Sequence, residues 1–346
     1  MTSSLLTDDL TTTTLPTGWT AGTPGPDDVA ELHALRARHE VAARGAESAG
    51  RAATEAELAG DGAASREHRV VRDASGVVRG WATAHDRAAG RVLVAVVVDP
   101  DLDDATGDDV AGVLFAWAAE AGAAYARARG LTDTQLDSGA FEADPRQGRR
   151  LAAAGYTHVR TWWQMRRPVT DDDRGAQPTK PGVRIRRFGR EADGMPDRGD
   201  LVAAHEVLER AFADHFNHHE ETFGEFLARL RADPGHRWDH WWLAELVDGD
   251  AVEPVGALLG SESRDAEGRD VGSYVEYLGV LRTARGRGVA RSLLDAVVTD
   301  AAERGRSSVA LEVDADSPTG AADLYVSTGF TTSYRTQSWH RYVTVS

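Results

Sequence analysis

With 346 residues the chain exceeds most single domains, and 55 acidic against 39 basic side chains leave it at a net charge of -16. Such a surface repels nucleic-acid phosphates and anionic lipid, and it suits a cationic partner. The absence of cysteine excludes disulfides, zinc–thiolate sites, iron–sulfur clusters and thiol nucleophiles. Residues 1–26, rich in Thr, Ser and Gly, read as a disordered tail. They lack the basic start and apolar stretch of a signal peptide, and the longest apolar runs, such as 92–98, are far short of a bilayer span. A cytoplasmic protein without membrane contact is expected.

From Asp27 an amphipathic helix runs through Val29, Leu32, Leu35 and Val41. Strands follow at 69–73, 77–84 and 92–98, then a helix at 110–121, a strand near 134–138, a helix ending at Gly155 and a strand at 157–166. Trp162 and Trp163 on that last strand suit either an interface or a core. Residues 169–182 are acidic, then rich in Pro and Gly, and mark a linker. After it the same order returns: strand 183–188, helices 201–212 and 223–232, strands 241–247, 255–263 and 274–280, helix 289–304, strand 308–313, helix 320–328 and closing strands at 332–343. One plan used twice predicts a tandem duplication of mixed α/β (α+β) units, each a central, mostly antiparallel mixed sheet flanked by helices.

The most informative segment is Tyr274-Val-Glu-Tyr-Leu-Gly-Val-Leu-Arg-Thr-Ala-Arg-Gly-Arg-Gly-Val-Ala-Arg291, a strand entering a glycine turn that opens a helix. Gly286 and Gly288 let backbone approach an anion, and the N–H groups of the helix start point at it. Arg285, Arg287 and Arg291 add positive charge against the acidic trend of the chain, so a pyrophosphate suits the turn. The Gly-Lys-Ser/Thr of a Walker loop and the third glycine of a dinucleotide fingerprint are both missing.

Further on, Leu311-Glu-Val-Asp-Ala-Asp-Ser-Pro-Thr-Gly-Ala-Ala-Asp-Leu-Tyr-Val-Ser-Thr-Gly-Phe330 completes a pair of signatures. Arg285-Gly-Arg-Gly-Val-Ala290 fits the Gln/Arg-x-x-Gly-x-Gly/Ala loop of the GNAT superfamily of acyl-CoA-dependent N-acyltransferases, and Ala321-x-x-Leu-Tyr-x-x-x-Gly-Phe330 fits its second motif. The chain resembles that superfamily well over 183–346 and by layout over 27–168. The tandem arrangement resembles two-domain actinobacterial acetyltransferases of the mycothiol synthase type.

The resemblance implies acetyl-CoA as co-substrate and no metal. CoA would lie on backbone near Leu278, Gly279 and Val280, on Arg285, Gly286, Arg287, Gly288, Val289, Ala290 and Arg291, and on Ser317, which stands where relatives carry Asn. Tyr325 would protonate the departing thiolate. Glu276 would accept the amine proton, with Tyr274 or Asp314 as substitutes; strand alternation puts Glu276 on one face with Tyr274 and Leu278. The acceptor would meet the loop holding Asp214, His215, Phe216 and His219.

In the first unit the segment 98–110 carries Asp101, Asp103, Asp104, Asp108 and Asp109 around a lone Gly107, and Leu151 stands where the second unit has Tyr325. That unit is expected to lack CoA. The expected activity is acetyl transfer to a primary amine of a small, cationic molecule, by a monomer or homodimer. A protein amine as acceptor, or a non-catalytic acyl-CoA sensor, are the alternatives.

Overall fold

Two passes through one order of elements build the protein, in a computed structural model that describes residues 14–345 apart from 48–49, 60–62, 64, 88–90, 176–177, 193, 214–220, 232–235, 265–269 and 317–319. The first pass is β1 (Thr20–Gly22), α1 (Val29–Arg44), α2 (Arg51–Ala59), β2 (Arg66–Arg72), β3 (Val78–Arg87), β4 (Arg91–Val98), α3 (Asp104–Ala128), β5 (Asp133–Phe141), α4 (Pro145–Ala153) and β6 (Thr157–Pro168). The second is β7 (Val183–Arg187), α5 (Arg198–Phe212), α6 (Phe223–Arg231), β8 (His236–Asp248), β9 (Ala251–Arg264), β10 (Asp270–Val280), α7 (Val289–Glu303), β11 (Ser308–Asp314), α8 (Ala321–Ser327) and β12 (Thr331–Thr344).

The halves do not keep separate sheets. All twelve strands join in the order β1-β2-β3-β4-β5-β12-β6-β11-β10-β9-β8-β7, so the last strand of each half lies beside the other half. β12 pairs antiparallel with both β5 and β6, and β6 pairs antiparallel with β11. Among the described residues, only β4/β5 and β10/β11 are parallel. The exchange is also one of cores. Met165 of β6 is buried among Val309, Leu311, Val313 and Phe330, with Trp163 packed alongside, while Trp339 and Val343 of β12 pack on the first-half core around Phe115, Leu136 and Leu151. Each half therefore buries part of its apolar area only when the other is folded beside it, at about 1.5–3 kcal/mol per large exchanged side chain.

Helix faces follow the apolar spacing. α7 buries Val289, Leu293, Leu294, Val297, Val298 and Ala301 on one side of the sheet, and α5 buries Leu201, Ala204 and Leu208 against Trp241, Leu243, Ala257 and Leu259 on the other. Two expectations change. Within the expected tail, residues 20–22 form β1, which pairs with β2, and Leu15 and Trp19 pack on the first-half core. The apolar area of Trp19 outweighs the Thr/Gly composition around it, whereas residues 1–13 lie outside the described residues. The linker also lies against α7: Asp173 pairs with Arg167 at 2.6 Å, and Thr299 Oγ1 donates to the Gly175 carbonyl at 3.3 Å. Among the described residues no helix is long and apolar enough to cross a membrane.

Candidate active site

β10 and β11 pair from Gly272↔Ser308 to Val275↔Leu311, and among the described residues no pair follows. On its other side β10 stays paired with β9 as far as Val280↔Gly256. Residues 276–280 therefore turn one row of backbone N–H and C=O groups into a gap between diverging strands, and unsatisfied groups of this kind take a ligand or water. A register shift between Val275 and Tyr277 makes Glu276 the extra residue of a β-bulge. The bulge overturns the alternation drawn from sequence. Tyr277 packs on the α5 side, whereas Leu278 and Val280 pack with the core beneath α7, so Leu278 does not share a face with Glu276 and Tyr274. At Gly279 a Cβ would stand 2.8 Å from Leu208 and 3.1 Å from Ala211, so glycine lets α5 rest directly on the strand.

Beyond the gap the chain turns through Gly286 and Gly288, at φ of +74° and +79°, into α7. Both angles lie in the left-handed region that glycine enters without steric cost. Gly288 caps α7 with no side-chain hydrogen bond, and the first turn holds no acid, so the positive helix end is open. Arg285, Arg287 and Arg291 are exposed around it, and among the described residues none forms an ion pair. Backbone, dipole and side chains together form a site for a polyanion.

On the α5 side of the gap, the exposed Glu276 accepts a hydrogen bond from Ser261 Oγ at 2.6 Å, and Ser261 is the β9 partner of Tyr274. Burial, with Glu312 and Glu276 nearby, pushes the Tyr274 phenol above its ordinary range, so Tyr274 is a poor base at neutral pH. Desolvation likewise holds the Glu312 carboxyl high, although Gln164 Nε2 hydrogen-bonds it. Arg44 at the end of α1 reaches the same cluster from the first half. Its guanidinium lies 4.9 Å over the Tyr334 ring and pairs with Glu40 at 3.4 Å, while its Nε, buried, has no hydrogen-bond partner. Asp314 is buried, lies 3.7 Å from Arg160 and accepts from the Asp316 backbone N–H, a capping role rather than that of a free base. On the α7 side, Tyr325 is 7% exposed, meets Phe330 edge-on at 5.9 Å, and its hydroxyl makes no hydrogen bond among the described residues. Burial pushes its phenol up to about 12.

The family model described as Acetyltransferase (GNAT) family matches residues 201–330, which contain the gap, the glycine turn and Tyr325. The mycothiol acetyltransferase of Salinispora arenicola is 31% identical over 275 residues, 77% of this chain and 79% of that protein. This chain belongs to the GNAT acetyltransferase family. The mycothiol acetyltransferase of Stackebrandtia nassauensis is 28% identical over 79% of this chain and 82% of its own. With that of Thermobispora bispora identity is 35%, over 54% of this chain, and the match spans 59% of that relative's length. Among solved structures, a GCN5-related N-acetyltransferase from Sphaerobacter thermophilus superposes at a TM-score of 0.74 with 25% identity, covering 96% of this chain and 98% of that one. A tandem GNAT protein from the clavulanic acid biosynthesis pathway has a TM-score of 0.67 at 16% identity, with 94% and 98% covered, and shares the fold.

The first GNAT unit has the same strand divergence but fills it. β4 and β5 pair from Arg91↔Gln135 to Val94↔Ser138. Beyond that, His39 Nδ1 contacts the Val98 carbonyl at 3.3 Å, and Gln147 Oε1 accepts from the Phe141 N–H at 2.9 Å. Asp104, Asp108 and Asp109, which precede the helix expected at 110–121, instead lie in the first turns of α3. Asp103 caps it, accepting from the Thr106 N–H, and Asp108 pairs with Arg149 and Arg150 of α4. A Cβ on Gly107 would stand 2.3 Å from Arg150 Nη2, so the arginine occupies the space beside the helix start. Leu151, 1% exposed, takes the place of Tyr325.

Of the residues named from sequence, the fold gathers Tyr274, Glu276, 278–280 and 285–291 around one gap, with Tyr325 behind it and Asp314 at its far wall. Asp214, His215, Phe216, His219 and Ser317 lie outside the described residues. Sequence reasoning missed Ser261, Glu312, Gln164 and Arg44. Glu312, two residues before Asp314 on one strand, was legible by alternation; the others come from distant segments and carry no local signal. Among the described residues no three metal-binding side chains cluster.

Proposed function

We propose that the second unit moves an acetyl group from acetyl-CoA to a primary amine of a small molecule, and that the first unit walls the acceptor side without binding CoA. The observation that carries this reading is the open row of backbone groups at 276–280, running directly into the uncapped, arginine-ringed start of α7. The pyrophosphate fits the turn at Gly286–Gly288, and the pantetheine arm fits the strand edge. The nitrogen–carbon bond to the amine forms as the carbon–sulfur bond breaks, and the second proton, shed by the attacking nitrogen as it becomes an amide, passes through water to the departing thiolate, so that CoA leaves as the thiol. The ammonium proton passes through water to Glu276, whose exposed carboxylate stands in reach of solvent on a central strand. The Tyr325 hydroxyl donates to the leaving sulfur. With the phenol near 12 against a thiol near 8.5, the hydrogen bond supplies the help and full proton transfer is uphill.

The acidic cluster of Glu276 and Glu312 suits a cationic acceptor, and a cytoplasmic enzyme agrees with a co-substrate of metabolism. Because the matched relatives are named mycothiol acetyltransferases, an amine precursor of that thiol is the first acceptor to try, ahead of amine antibiotics. The test follows free CoA while acetyl-CoA is offered with a panel of small amines and amine-bearing peptides. Turnover on a small amine supports the proposal. Turnover on peptides alone, or CoA binding with no turnover on any amine, overturns it.

A further inference from the structure

We propose that Lys180, on the segment joining the two units, is a fourth cation of the pyrophosphate site, so that the linker itself takes part in holding CoA. This rests on the reading of the Gly286–Gly288 turn given above. Lys180 is the sole lysine of the chain, and the fold lays it across the residue that opens α7. A Cβ built on Gly288 would stand 3.1 Å from Lys180 Cδ and 3.2 Å from its Cε. The stem thus lies along the turn and carries the ammonium beside the uncapped helix start. The placement is not that of a loose tail: the Val183 N–H donates to the Lys180 carbonyl at 3.0 Å, the Val247 N–H to the Gly182 carbonyl at 2.9 Å, and upstream Asp173 and Gly175 are tied to Arg167 and Thr299.

Charge gives the second argument. Lys180 is exposed, and among the described residues it has no ion-pair partner, as is true of Arg285, Arg287 and Arg291. In a chain with 55 acids, four cations around one turn, of which among the described residues only Arg291 feels a neighbouring carboxylate, that of Asp295 one helical turn on, leave a local positive field, which a pyrophosphate would neutralise. A lysine is a compact, strongly hydrated charge suited to phosphate oxygens, and its mobile stem closes over a ligand that the backbone already cradles.

A single lysine makes the test direct. Full-length protein is treated with an amine-reactive ester, and modification of Lys180 is followed by peptide mass spectrometry against an added free peptide amine. CoA and 3′-dephospho-CoA should each slow Lys180 modification several-fold while the added amine reacts unchanged. Lys180→Met keeps the stem across Gly288 and removes the charge. It should weaken CoA binding about 3- to 30-fold in calorimetry, with kcat at saturating acetyl-CoA unchanged and Lys180→Arg restoring most of the affinity. Arg287→Glu separates the two claims. If it leaves CoA affinity intact, the turn is not the pyrophosphate site and the underlying reading fails. If it abolishes binding while Lys180→Met binds like wild type and CoA gives no protection, the reading stands and Lys180 is out. Protection by CoA but not by dephospho-CoA would move Lys180 to the 3′-phosphate and overturn the pyrophosphate assignment.

Discussion

Asp103 and Gly288 hold the same position in the two halves, the residue before the helix that follows the diverging strand, and they leave that helix end in opposite states. The Asp103 carboxylate accepts from the Thr106 N–H and closes the end, whereas Gly288 offers no side chain and leaves it open. A helix start satisfied by its own carboxylate has little to gain from a phosphate and repels its charge. Calorimetry should therefore find one CoA site per chain, lost in Gly288→Glu. Two sites of similar affinity would refute the assignment of the first unit.

Tyr325→Phe keeps the ring packed on Phe330 and removes the hydroxyl. Turnover should fall roughly 10- to 1000-fold with little change in acetyl-CoA affinity. Because burial pushes the phenol up to about 12, it stays protonated until the pH rises towards that value. The wild-type kcat profile should accordingly show no tyrosine limb below about pH 11. Unchanged turnover in the variant reduces Tyr325 to packing.

For Glu276→Gln, kcat/KM should drop about 10- to 1000-fold near neutral pH and recover in part as pH rises and more of the amine arrives uncharged. A carboxylate that only binds the cation would instead raise KM and spare kcat. pH–rate profiles of the two proteins on one amine decide it. Superimposable profiles send the search for a base to Glu312.

His240 sets an acid limit on the fold. It is fully buried, its Nδ1 lies 2.9 Å from Asp239 Oδ1, and Arg306 meets its Nε2. That geometry assigns a neutral ring that donates to Asp239 and accepts from Arg306. Burial, then the Arg306 charge, hold its pKa below the ordinary 6.5. The unfolded chain takes up a proton that the fold refuses, so stability falls as pH drops through about 6.5. Burial also lowers His85, to about 4, and adds to the same slope. Urea midpoints of the wild type should decline from pH 7 to pH 5. His240→Gln should start lower at pH 7 and decline less; an equal decline would clear His240 of the effect.

Strand exchange predicts that the halves cannot be parted. Fragment 1–174 made alone leaves β5 without β12 and β6 without β11 and β12, so exposed strand edges should drive it to aggregate. Co-produced with 175–346, it should form a soluble 1:1 complex by size-exclusion chromatography. A folded, monomeric 1–174 would mean that β6 can close the first sheet by itself.

The sequence by itself determined most of the elements, β1 and α2 apart, with their double order, the glycine turn and the second motif around Tyr325, because helix and strand periods and left-handed glycines are properties of neighbouring residues. It also marked the first unit as unlike the second, through the acids near Gly107 and the leucine at 151. What it did not determine depends on which strand lies beside which. Nothing local tells β6 to leave its own half, since Met165 and Trp163 would read the same under either partner. The bulge at Glu276 exists only because β9 fixes the register on one side while β11 diverges on the other, and that one extra residue reversed the facing of Leu278. Arg44 and Lys180 gained their places in the same way. Each is a surface cation in sequence, brought to the site by packing between segments more than a hundred residues away, where burial, charge and backbone exposure are decided by the fold.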